Sequence, residues 1–115
     1  MDTDALLNLH LKNFGAGDID ALVAEYADDA VFLTAQGVLR GPAEIRPLIA
    51  AVVGEFSLPG VTLELLSRQV AGDHAYLCWR AETPRNSYAL GTDTITFRDG
   101  RIVMQTAAIA ATPKT

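Results

Sequence analysis

Few residues in this chain can carry chemistry, and their spacing narrows the choice. There are two histidines, His10 and His74, and one cysteine, Cys78. The two histidines lie far apart and join no cysteine cluster, so the residues suggest no zinc site and imply no other cofactor. His10 is the more telling of the pair. Leu7, His10, Leu11 and Phe14 fall at i, i+3, i+4 and i+7, which places one imidazole in the apolar stripe of a helix. An unperturbed imidazole titrates at about 6.5, so one facing a cavity can take up and return a proton near neutral pH. The same position also suits a core histidine with one satisfied hydrogen bond, and both readings stand. His74 falls at a turn, where solvation is expected. Gly15-Ala16-Gly17 has neither the lysine of a P-loop nor the spacing of a dinucleotide fingerprint. Asp28-Asp29 reads as the solvated end of an acidic helix.

The elements that must position these groups fit one domain of 115 residues. Half of the residues are hydrophobic, enough for a real core. The formal net charge is −5 and the pI is near 4.8, which argues against a nucleic-acid partner, since such binding leans on a basic face. A lone cysteine cannot form an intramolecular disulfide, and Met1-Asp2-Thr3-Asp4 lacks the positive start of a secretory signal. No apolar run is long enough to cross a bilayer, so neither a membrane nor export is expected, and a cytoplasmic location is the default.

Thr3 or Asp4 can cap the first helix, which Gly15 and Gly17 end. Asp18 or Asp20 can cap a second, with Ile19, Leu22, Val23 and Tyr26 as its stripe and Asp28-Asp29 at its close. Ala30 to Thr34 reads as a short buried strand, Gln36-Gly37 as a turn, and Val38 to Arg40 as a return strand. Gly41-Pro42 opens a third helix that buries Ile45, Leu48, Ile49, Val52 and Phe56. Pro47 predicts a bend or a delayed start there. After Pro59-Gly60 the chain reads as four strands: Val61 to Val70, Ala75 to Thr83, Ser87 to Phe97 and, past the Asp99-Gly100 hairpin, Ile102 to Ala110. Three helices followed by a meander is an α+β plan, in which an antiparallel sheet gives one face to the helices.

Alternation assigns the faces. Gly91, Asp93, Ile95 and Phe97 share one side, and Thr92, Thr94 and Thr96 share the other. Trp79 goes with Leu77 and Ala81; Tyr76, Cys78 and Arg80 go outward. The threonine face is flat, β-prone and uncharged. It suits either a solvated surface or, the expectation adopted here, a homodimer interface that would also cover Cys78.

The runs Gly17-Asp18-Ile19-Asp20-Ala21-Leu22-Val23-Ala24-Glu25-Tyr26-Ala27-Asp28-Asp29-Ala30-Val31, Gly41-Pro42-Ala43-Glu44-Ile45 and Thr92-Asp93-Thr94-Ile95-Thr96-Phe97-Arg98-Asp99-Gly100-Arg101-Ile102 resemble, in order, three parts of nuclear transport factor 2-like (SnoaL-like) domains. The resemblance implies a cone: three helices packed in a strongly curved, mostly antiparallel sheet around an internal pocket. It does not imply one activity, because such domains include ketosteroid isomerases, polyketide cyclases, limonene epoxide hydrolases and binding-only proteins.

Compared with ketosteroid isomerase, Asp93 matches the aspartate that holds the oxyanion, and Tyr26 matches a tyrosine at the end of the second helix. His10 stands at the position of the oxyanion tyrosine and Thr34 at that of the general base. Two of the three central parts are replaced, so steroid isomerisation by that route is not expected. The aspartate–arginine arrangement of epoxide hydrolases is not matched either, since Asp93 has no arginine two residues away. What the resemblance leaves is a His10–Asp93 pair directed into the pocket, where a carboxylate could orient an imidazole for general base and then general acid work. Phe14, Tyr26, Phe32, Thr34, Val52, Trp79, Gln105 and Ile109 are the expected ligand-binding residues. They make a mostly apolar lining with a few polar groups, suited to a small apolar organic molecule. Each has a plainer role as well: Trp79 and Tyr26 as core, Thr34 as an ordinary strand residue, Gln105 as a tie between strands. The alternatives to catalysis are a binding module and a dimerisation domain.

Overall fold

The computed structural model describes residues 1–115 and is α+β, with three helices against a curved, unclosed six-stranded sheet. Helix α1 is Thr3–Gly15, α2 Ile19–Ala24 and α3 Gly41–Phe56; the strands are β1 Tyr26–Thr34, β2 Gly37–Arg40, β3 Thr62–Ala71, β4 His74–Glu82, β5 Asn86–Arg98 and β6 Arg101–Pro113. The strand order is β2-β1-β6-β5-β4-β3. The last four strands form the expected antiparallel meander. The first and last strands lie side by side and parallel, which makes the sheet mixed. Leu7, Leu22 and Val23, with Ile45, Ile49 and Val53 of α3, meet Phe32, Leu77, Ile95, Phe97 and Ile102 of the sheet in one core. No helix is long and apolar enough to cross a membrane.

Local chemistry explains most boundaries and corrects four expectations. Asp2, not Thr3 or Asp4, caps α1, its carboxylate accepting from the Ala5 N–H at 2.8 Å. Asp18 does cap α2, accepting from Ala21 N at 3.0 Å. However, α2 ends at Ala24, so Tyr26 and Asp28-Asp29 belong to β1 and not to the helix. Between Tyr26 and Val31 the register against β6 slips, and Asp28 and Asp29 sit exposed in the slip. Gly41, at φ +77°, lies against this bulge: a Cβ there would sit 3.2 Å from the Asp28 carbonyl oxygen. Finally, Pro47 neither delays nor interrupts α3. Pro47 and Ala43, the residue whose carbonyl loses its helical partner, are both exposed, so the proline sits on the solvent side of α3.

The alternation holds along β5. Gly91, Ile95 and Phe97 are buried, and the threonines face the other side, where Thr92 lies beside Cys78 and Ala108, and Thr94 beside Tyr76 and Thr106. His74 is exposed at the start of β4, with Nδ1 3.0 Å from Thr96 Oγ1.

Candidate functional site

A cavity of about 370 Å³ lies between α1, α3 and the inner face of the sheet. Of the residues expected there, His10, Phe14, Phe32, Thr34, Val52, Trp79, Asp93, Gln105 and Ile109 all line it. Tyr26 does not. Its ring is fully buried and stacks on Phe32 with centroids 6.4 Å apart, so it stands behind the wall. Ile109, Leu63 and Leu65 line the cavity and are each about half exposed, at 59%, 50% and 47%, so they form its rim. Phe56, expected only on the buried face of α3, and Tyr88, not singled out by the sequence, extend an aromatic wall: Phe56 meets Trp79 edge-on at 5.8 Å and Tyr88 at 5.3 Å. A shallower hollow of about 380 Å³ by Gly15–Gly17, Ser57 and Val61 shares Phe14, Phe56 and Leu63 with the cavity and contains no titratable group.

The polar groups are held rigidly. Trp79 Nε1 donates to Asp93 Oδ2 at 2.9 Å, and Gln105 Nε2 donates to Asp93 Oδ1 at 3.1 Å. Gln105 Oε1 in turn accepts from the Tyr26 hydroxyl at 2.5 Å, so one chain of bonds runs from the core to the cavity wall. Burial pushes the Asp93 carboxyl above its ordinary range; the bonds from Trp79 and Gln105 and the charge His10 can carry oppose this without cancelling it. Burial likewise pushes the Tyr26 hydroxyl upward, so Tyr26 is a fixed donor. Trp79 reaches Asp93 because Gly91 offers no side chain: a Cβ there would lie 2.2 Å from the indole ring. Thr34 Oγ1 is occupied by its own turn, donating to the Gly37 carbonyl at 3.1 Å and accepting from Gln36 N at 3.2 Å.

His10 is bonded differently from the expectation. Its Nδ1 lies 2.7 Å from Glu25 Oε1, and no hydrogen bond joins it to Asp93. Glu25 Oε2 accepts from Asn13 Nδ2 at 3.0 Å. The side chain is 11% exposed, and its Nε2 has no protein partner. Since no fully enclosed side-chain nitrogen or oxygen lacks a partner, Nε2 must be reachable by solvent, and the residue's open side is the cavity. Glu25 was missed because a cap residue falls outside the helical period. The stripe Ile19, Leu22, Val23, Tyr26 reads as one helix, whereas α2 stops at Ala24 and Glu25 turns beneath α1.

The family model for the SnoaL-like domain matches residues 8–105. None of the curated proteins matches the chain. Among solved structures, the chain is similar to an NTF2-like protein of unknown function from Mesorhizobium loti, at 25% identity, with 94% of this chain and 90% of that chain covered and a TM-score of 0.77. A candidate polyketide cyclase from Sinorhizobium meliloti is 24% identical, with coverages of 90% and 94% and a TM-score of 0.72. A de novo designed protein with a curved β-sheet, 11% identical, covers 94% of this chain and 84% of its own, with a TM-score of 0.77. A designed chain thus shares the architecture as closely as natural ones do, so these likenesses speak to fold and not to activity. With its α+β cone in place and most of its length matched, the chain belongs to the SnoaL-like domain family.

Proposed function

We propose that the cavity binds a small, largely apolar organic molecule and moves a proton on it without a cofactor, His10 and Asp93 being the proton-transfer groups. The observation that carries this is His10: one ring nitrogen is tied down and the other is left without a partner at an apolar cavity. A nitrogen so placed meets a ligand in a low-dielectric setting, where proton transfer and hydrogen bonding are strengthened. Asp93 opens to the same space and is fixed by accepting from Trp79 and Gln105, so it can meet one polar end of a ligand while the aromatic wall takes the rest. Isomerisation, cyclisation and hydration are all within this chemistry.

The test uses small cyclic ketones in D₂O. Binding is read as quenching of Trp79, the single tryptophan, and proton transfer as deuterium wash-in beside the carbonyl, followed by NMR. Wash-in that disappears in His10→Ala is the expected result. Quenching without wash-in across the panel would favour the binding-only alternative, and no quenching at all would remove the pocket from consideration.

The outer face of the sheet is proposed as a homodimer contact. Tyr76, Cys78, Thr92, Thr94, Thr106 and Ala108 form an uncharged surface across three adjacent strands. A dimer mass in light scattering at micromolar concentration is expected, and Thr94→Lys should shift it to the monomer; a monomeric wild type would end this proposal.

A further inference from the structure

We infer that Glu25, braced by Asn13, is a positioning residue that fixes which nitrogen of His10 faces the cavity, so that His10 works as an Nε2 base. The inference rests on the proton-transfer reading of the same site. A carboxylate offers only lone pairs, so the hydrogen in the 2.7 Å contact between His10 Nδ1 and Glu25 Oε1 belongs to the imidazole. A neutral ring with its hydrogen on Nδ1 has its lone pair on Nε2, the nitrogen without a protein partner. Free imidazole side chains favour the opposite tautomer, so the protein must impose this one.

The carboxylate is built to do so. Its second oxygen is held by Asn13 Nδ2 at 3.0 Å. Asn13 and His10 are three residues apart on α1, on neighbouring positions of one face, so both reach the same carboxylate from above. The Glu25 backbone is pinned as well: its N–H donates to the Leu22 carbonyl at 3.1 Å, and its carbonyl accepts from Ile102 N at 2.8 Å. The backbone bonds fix where the Glu25 side chain starts, and the contacts with His10 and Asn13 fix where its carboxylate ends. Both side chains of the contact are about nine-tenths buried, so water competes poorly for Nδ1. When Nε2 takes a proton from a ligand, the resulting imidazolium lies against a carboxylate and is stabilised where it forms; the proton then returns from Nε2 to another atom of the ligand.

The experiment is ¹⁵N NMR of histidine-labelled protein at a pH where His10 is neutral. In the wild type, a protonated Nδ1 and an unprotonated Nε2 are expected. Glu25→Gln keeps an acceptor oxygen and should keep the tautomer. Glu25→Leu should invert it and lower kcat for deuterium wash-in by about 10²-fold with KM unchanged. A wild-type ring with its hydrogen on Nε2, or one doubly protonated throughout the stable pH range, would overturn the inference even if no variant folds. If the tautomer is as expected but no ligand is turned over, the positioning stands and the proton-transfer function falls; the two failures are thus distinct.

Discussion

Gly91→Ala is the smallest change that should damage the cavity wall. The residue is buried in the middle of β5 directly across from Trp79. A methyl group there would lie 2.2 Å from Trp79 Cε2 and Cζ2 and 2.6 Å from Cη2, well inside contact distance. The obstruction is the ring itself, flanked by Phe56 and Tyr88 at 5.8 and 5.6 Å, so it has little room to slide. Overpacking of this kind costs about 1–3 kcal/mol. If the indole leaves, Trp79 Nε1 also loses Asp93, a bond to a charged group worth roughly 1.5–3 kcal/mol. The two losses are alternatives in part, so a net destabilisation of about 3 kcal/mol is expected, equivalent to roughly 10–15 °C in Tm for a domain of this size. Urea titration gives the energy. The emission of the single tryptophan gives the cause, because a displaced indole should shift to the red. A variant with wild-type emission and wild-type Cm would show that Trp79 does not lie over Gly91 and that Asp93 is not held in the way described.

Tyr26→Phe removes the donor to Gln105 Oε1 and leaves a buried amide oxygen unsatisfied; a loss of about 1–3 kcal/mol in urea unfolding is expected, with the cavity volume unchanged because Tyr26 does not line it. Glu55 closes the far end of the aromatic wall, accepting from Thr83, Asn86 and Tyr88. Burial pushes its carboxyl up, but those bonds and the charge of Arg85 outweigh burial and hold it below 4.5. A depressed carboxylate contributes stability above its unfolded value and loses it as the pH falls, so Glu55→Gln should cost roughly 1 kcal/mol near neutrality and less toward about pH 3, shown by melting curves across that range. An equal cost at both ends would refute the assignment. The Tyr88 hydroxyl, pushed up to about 12 by burial and by its bond to Glu55, should stay protonated throughout the same range.

The sheet was legible because its residues obey a period of two over long stretches. Gly91, Asp93, Ile95 and Phe97 could be put on one face from alternation alone, and most of the cavity lining follows from that together with the helical stripes. Where periodicity stops, the reading failed. Tyr26 continues the arithmetic of α2 but belongs to β1, because helical spacing cannot reveal that the chain has already turned at Glu25. The partner of His10 was hidden for the same reason. Asp93 was in place as a residue, but its contacts with Trp79 and Gln105 depend on cross-strand register and on an absent side chain at Gly91, neither of which a single strand records. Pro47 was weighed by its intrinsic penalty, which exposure to water reduces.

The parallel pairing of β1 with β6 bears on how the chain is made. Tyr26 bonds Gln105, 79 residues further along the chain, and Ile102 bonds Glu25, so β1 cannot be joined to the rest of the sheet until β6 exists. During synthesis the β3–β4–β5 meander can form as soon as it emerges, but β1, paired on one side with β2, must wait with its other edge unpaired. The interval before β6 arrives is therefore when β1 offers a free strand edge to other chains, and slowing translation just before Arg101 should lengthen it.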